Sequence, residues 1–186
     1  MSKKSFVNSH LDYSAYTDPS DFETRDGPPQ ELPALIGMIS MHFQQLEDYL
    51  SLTIIELAGL EFDLGEIITA ELSFRTKVHI FSSLFKKVNG QFQFNSSPRF
   101  QGTFFNELIK ALFKCEEIRN QTLHSTFVKN WENDFLVRMK ITAKAKTGLR
   151  KTSEITDITK LYNQSDYILV VLCEISDFFG GFRKKV

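Results

Sequence analysis

The sequence predicts an all-α chain: an antiparallel helical bundle of four long helices with a β-hairpin inserted before the last helix. Three observations predict it. Apolar residues recur at steps of three and four along four separate stretches. The connections between those stretches are short and rich in Gly, Asn, Ser and Pro. One stretch, about residues 135–155, replaces the helical period with alternation on either side of a turn containing Gly148.

Residues 1–32 read as a flexible N-terminal arm. They hold Pro19, Pro28 and Pro29, no sustained period, and three basic side chains (Lys3, Lys4, Arg25) against six acidic ones (Asp12, Asp18, Asp21, Glu23, Asp26, Glu31). Tyr13, Tyr16 and Phe22 are candidates to dock on the body. No apolar run follows Lys3 and Lys4, so this is not the pattern of a signal peptide.

The body is expected over residues 33–186. Pro33 suits a first helical turn, and Leu35, Ile39, Phe43, Leu46, Leu50, Ile54 and Leu57 then mark one face until Gly59 stops the helix near Leu60. A second helix is expected from about 66 to 89, with Ile68, Leu72, Val78, Phe81, Phe85 and Val88 on one side and Asn89-Gly90 as its stop. Residues 91–101 read as a loop, and a third helix follows from about 103 to 129. Phe135-Leu-Val-Arg-Met-Lys-Ile-Thr alternates as a half-buried strand does, and residues 149–155 return from the turn. The last helix runs from about 157 to 179 and ends at Gly180-Gly181.

Composition bounds the function. With 186 residues, 42% hydrophobic and 24% charged, the chain fills a single core. A net charge of −1 excludes a globally basic polyanion binder, so any nucleic-acid affinity must come from a local patch. Cys115 and Cys173 exclude a disulfide scaffold and a cysteine-based zinc cluster, and they suit a reducing, cytoplasmic setting. His10, His42 and His79 lack metal-ligand spacing, so neither a metal nor a cofactor is expected. No apolar run reaches ~18 residues, so no membrane span is expected. The 18 phenylalanines point to large contacts between helices, or to a subunit interface.

The third helix carries the chemistry. At 100° per residue from Leu112, residues Phe105, Leu108, Ile109, Cys115, Leu123 and Phe127 fall within ~60°, and Arg119 lies about 20° from the same centre. Glu116, Asn120 and His124 cross that stripe as a polar band at roughly 40°, 80° and 120°. A cation on an apolar face must be paired or face a cleft. One reading is a purely structural Glu116–Arg119 pair at i, i+3. The other is a site.

The run Ile118-Arg119-Asn120-Gln121-Thr122-Leu123-His124-Ser125 resembles the Arg-x4–6-His motif of the HEPN superfamily of helical bundles. The resemblance spans the body from about 33 to 179, although only this motif is specific. It implies an HEPN-like domain over 33–186. It also implies a metal-independent endoribonuclease, working as a homodimer whose two motifs share one composite cleft. Toxin or defence biology, with an antitoxin protein as partner, is implied too. Members that bind without cleaving imply the alternative of a non-catalytic module for RNA or a protein partner.

The residues fit that chemistry independently. Metal-free RNA cleavage needs a proton taken from a 2′-hydroxyl, a proton given to the leaving oxygen, and support for the crowded phosphorane. Histidine titrates near neutrality, so His124 suits the proton transfers. Arg119 offers a permanent planar fork for phosphate oxygens, and Asn120 lies at i, i+4 from His124 to orient it. A straight helix separates Arg119 and His124 by about 140°, a tension that two subunits would resolve. Ser125, Lys129, Lys140, Lys144, Lys146 and Lys151 are the expected substrate contacts, because residues 129–151 carry seven basic side chains against Glu132 and Asp134.

Overall fold

Helix α1 (Glu31–Ala58) is the axis on which the other helices pack. The computed structural model describes residues 29–88, 92–93, 100, 103–130, 135–144, 148–180 and 183–184. Most of the arm, the tip of the turn at 145–147 and most of the loop at 91–101 lie outside the described residues. Leu35, Ile39, Leu46 and Leu50 of α1 are at most 1% exposed, which requires neighbours along the whole length of the helix. Gly59 then turns left-handed (φ 64°), and the amides of Gly59 and Leu60 reach back to the Glu56 and Ile55 carbonyls, so the helix ends in a glycine cap.

The fold is mixed, not all-α. Among the described residues, five helices and a three-stranded antiparallel sheet replace the expected four helices and hairpin. The expected second helix is two: α2 (Phe62–Ala70) and α3 (Phe74–Val88). Ser73 explains the break, because its hydroxyl accepts from the Thr76 amide and so caps α3. After the short strand β1 (Phe92–Gln93) comes α4 (Phe104–Leu123), which ends six residues earlier than expected. The run Thr126-Phe-Val, β-branched and aromatic, leaves the helix and forms β2 (Thr126–Asn130). It pairs with β3 (Phe135–Lys144), which in turn pairs with β4 (Gly148–Thr156), in the order β2-β3-β4. Helix α5 (Ile158–Phe179) starts where the Asp157 carboxylate accepts from the Lys160 amide, and β5 (Arg183–Lys184) pairs with β1.

Contacts give the helix directions. His42 meets Ser165 and Tyr49 meets Ser176, so α1 and α5 run the same way. Phe43 meets Phe74 and Glu47 meets Lys77, so α3 joins them, whereas Arg75–Glu116 and Phe85–Phe105 set α4 against α3. The N-terminal ends of α1 and α5, the C-terminal end of α4 and the sheet therefore share one end of the molecule. The phenylalanines gather at the other. Phe85 stacks on Phe105 at 3.9 Å, and Phe81, Phe100, Phe104, Phe178 and Phe179 close around them. Much of the aromatic surplus is thus spent inside the chain.

The sheet is turned opposite to its pattern. The expected half-buried strand would place its apolar residues inward, yet Leu136 and Arg138 are buried while Phe135, Met139 and Ile141 are exposed. Among the described residues, no helix is long and apolar enough to cross a membrane.

One close approach fixes α2. A Cβ on Gly65 would lie 2.6 and 2.7 Å from the branched carbons of Ile55. Gly65→Ala should therefore destabilise by about 1–3 kcal/mol from overpacking, beyond the ~1 kcal/mol of helix propensity that it gains. Urea unfolding of the two proteins measures this, and equal or greater stability in the variant would contradict the packing.

Candidate functional site

The last two turns of α4 present the motif beside the core. Leu108, Leu112, Cys115, Ile118 and Thr122 are its buried face, so the true centre lies toward Cys115 rather than at Leu112. Arg119 consequently sits at the margin of that face, half-buried, where its stem packs and its head stays polar. Its guanidinium carbon lies 5.6 Å from the centre of the Phe43 ring, and Nη1 donates to Asn120 Oδ1 at 2.9 Å. Phe43 is itself held 4.6 Å from Phe74. This aromatic seat for Arg119 comes from α1 and carries no signal in the motif.

The expected Glu116–Arg119 pair is not formed. Glu116 accepts from Arg75 Nε at 3.1 Å and Nη2 at 2.8 Å, across from α3. Arg75 also lies over the Phe113 ring at 5.5 Å, which orients its fork toward Glu116. Arg119 is left with Asn120 and Phe43.

His124 caps the end of α4 and is exposed. The expectation of a helical His124 on a turn with Phe127 is corrected, since the chain leaves the helix at this residue and Phe127 belongs to β2. Ser125 is half-buried and its hydroxyl donates to the Gln121 carbonyl, so it closes the helix end. Among the described residues, no hydrogen bond or ion pair joins Arg119 to His124.

The basic residues divide. Lys140 Nζ donates to the Asn120 carbonyl at 3.3 Å, which ties β3 to the motif. Lys129 is half-buried and Lys151 exposed, while the Lys144 side chain and Lys146 lie outside the described residues. Arg138, only 8% exposed at its side chain, is held by Glu154, which Lys160 also holds. Glu154 falls outside the 129–151 window, so the sheet is less positive than that count implies. A cavity of about 200 Å³ lies between sheet and helix end, lined by Gln121, Arg138, Lys140, Thr152 and Glu154. Arg138 Nη1 is buried beside it without a hydrogen-bond partner among the described residues.

Other candidates resolve as structure. Lys77 is buried and paired with Glu47 at 2.8 Å, beside a larger groove of about 720 Å³ between α1, α2 and α3. That groove is lined by Glu47, Asp48 and Glu66, a charge unsuited to RNA. His79 lies 5.3 Å from the Phe113 ring. Burial pushes the Cys115 thiol up to about 12, so it is inert. Among the described residues, no group of three or more His, Cys, Asp or Glu side chains is placed to hold a metal ion.

The chain matches no protein-family model, no curated protein and no solved structure. What the site can do is read from its own chemistry.

The hydrogen bond from Lys160, with the Arg138 charge beside it, holds the Glu154 carboxyl below its ordinary value of 4.5. The folded state therefore releases this proton more readily than the unfolded chain. Its contribution is complete above pH 4.5 and is lost as pH falls through the lowered value. Glu154→Gln should cost about 1–2 kcal/mol near neutrality, a figure reduced for the half-exposed carboxylate but raised by the buried Arg138 it leaves unpaired. The difference between the two proteins should shrink at about pH 3. Urea titrations at both pH values test this, and a difference independent of pH would contradict it.

Proposed function

We propose that the chain is a metal-independent endoribonuclease of the HEPN type, active as a homodimer. The observation that carries the reading is an exposed His124 at the end of α4, with Arg119 and Asn120 one turn earlier and hydrogen-bonded to each other. His124 serves the proton transfers at the 2′-hydroxyl and the leaving oxygen. Arg119 lends its fork to the phosphate, pre-oriented by Asn120 and the Phe43 ring, so little rotamer freedom is lost on binding. Because Arg119 and His124 do not meet within one chain, each pairs with the opposite residue of a second copy. Lys140 and Lys151 supply contacts to the backbone, with Lys144 and Lys146 beside them in sequence. An antitoxin protein covering the motif is the partner this chemistry calls for in a toxin.

A second reading is a non-catalytic module that binds RNA or a protein partner. It is favoured by the engagement of Arg138 and Lys140 within the chain, which leaves fewer cations for a nucleic-acid backbone.

Mixed RNA incubated with the protein in EDTA should be cleaved to products ending in a 2′,3′-cyclic phosphate, since attack by the 2′-hydroxyl needs no metal-bound water. His124→Ala should lower the rate by about 10²–10⁴-fold with less than ~0.5 kcal/mol lost in stability, because the ring is exposed. Arg119→Ala should lose about 10²–10³-fold, and Arg119→Lys should recover only part of it. Wild-type protein that is inert on every RNA, while both alanine variants lose RNA or partner binding, would establish the second reading instead.

A further inference from the structure

The outer face of the sheet is a largely apolar surface that is left uncovered among the described residues. Strand register puts Val137 opposite Ile155 and Ala143 opposite Leu149, with Phe135, Met139 and Ile141 on the same side of β3. Ile141, Leu149 and Ile155 are each 64% exposed, whereas Leu136 and Arg138 on the opposite side are buried. Apolar strand faces are normally covered.

We propose that residues 11–26 of the same chain dock on this face. Three observations select this occupant. The first is position. His42–Ser165 and Tyr49–Ser176 set α1 beside α5 in parallel, so the start of α1 lies level with the start of α5, one residue beyond the end of β4. Chain preceding Glu31 therefore emerges at the end of the bundle that carries the sheet. Sixteen residues extend to ~50 Å, enough to run the ~34 Å of a ten-residue strand.

The second observation is charge. Residues 11–26 carry five acidic side chains against Arg25, and Lys151, paired with Ile141 in the register, places a cation on the exposed face. Tyr13, Tyr16 and Phe22 stand between the acids, giving the segment apolar anchors with a negative surround. The third is area. Strands of five, ten and nine residues ~4.8 Å apart offer ~400 Å², against ~800 Å² per partner in a stable complex. A second copy gains too little from that face alone, whereas a tethered segment binds at an effective concentration in the millimolar range. The proposal does not depend on the ribonuclease reading.

Limited trypsin digestion of the full chain tests it, following cleavage at Lys3, Lys4 and Arg25 by mass spectrometry, alongside sedimentation. Two variants are compared with wild type: Ile141→Glu with Leu149→Glu, at exposed sheet positions, and Tyr13→Ser with Tyr16→Ser and Phe22→Ser. Either should speed cleavage at Arg25 by about tenfold, because docking protects both surfaces reciprocally. The melting temperature checks that the sheet variant is folded, and hydrogen exchange of β3 and β4 in the arm variant gives an independent readout, expected to rise. Equal Arg25 cleavage in wild type and the folded variants would overturn the proposal. So would a wild-type dimer that the sheet variant converts to monomer, which would assign the face to a second copy.

Discussion

The parallel alignment of α1 with α5 is the constraint from which the remaining arrangement follows. His42 Nδ1 lies 3.1 Å from Ser165 Oγ and 3.3 Å from the Ser165 carbonyl, with both residues buried. A polar contact enclosed by Ile39, Leu46 and Ile168 is costly to leave unmatched, so it discriminates between registers that leucines alone would tolerate. Once α1 and α5 are aligned, the strands that precede α5 must lie at the end where α1 begins. Helix α4, running the other way, must finish there too.

That geometry divides the molecule by chemistry. The aromatic end is apolar and closely packed, with ring after ring of phenylalanine in edge or stacked contact. The sheet end is polar on its inner side, because it meets the terminus of α4, whose last carbonyls need donors. Lys140 answers one of them at Asn120. The motif thus stands where backbone groups are unsatisfied and long basic side chains converge, while Phe43 reaches it from the packed side.

Much of this was legible in the residues. Pro33 and Gly59 bracket α1 to within two residues, and Asp157 with Gly180 does the same for α5, because caps act through local backbone geometry. The break at Ser73 was missed, since apolar spacing continues across it and a single hydroxyl decides the matter. Strand β2 was hidden because Leu123 and Phe127 also fit a helical wheel. At the site, Arg119, Asn120 and His124 were found from spacing, but their partners were not. Arg75 for Glu116 and Phe43 for Arg119 lie on other helices, and pairings over such separations are set by packing. Alternation identified β3 as a strand but could not say which side faces α4.

The inverted sheet also bears on how the native arrangement is held. Shifting β3 by a single residue would exchange its two sides, bringing Met139 and Ile141 against the bundle and releasing Arg138 to water. Apolar burial alone favours that shifted arrangement, because it covers Met139 and Ile141 without requiring any ion pair. The native arrangement instead sets Lys140 on the Asn120 carbonyl and Arg138 on Glu154. The sheet is therefore a locally frustrated element, in which the apolar pattern favours one side and the polar contacts hold the other.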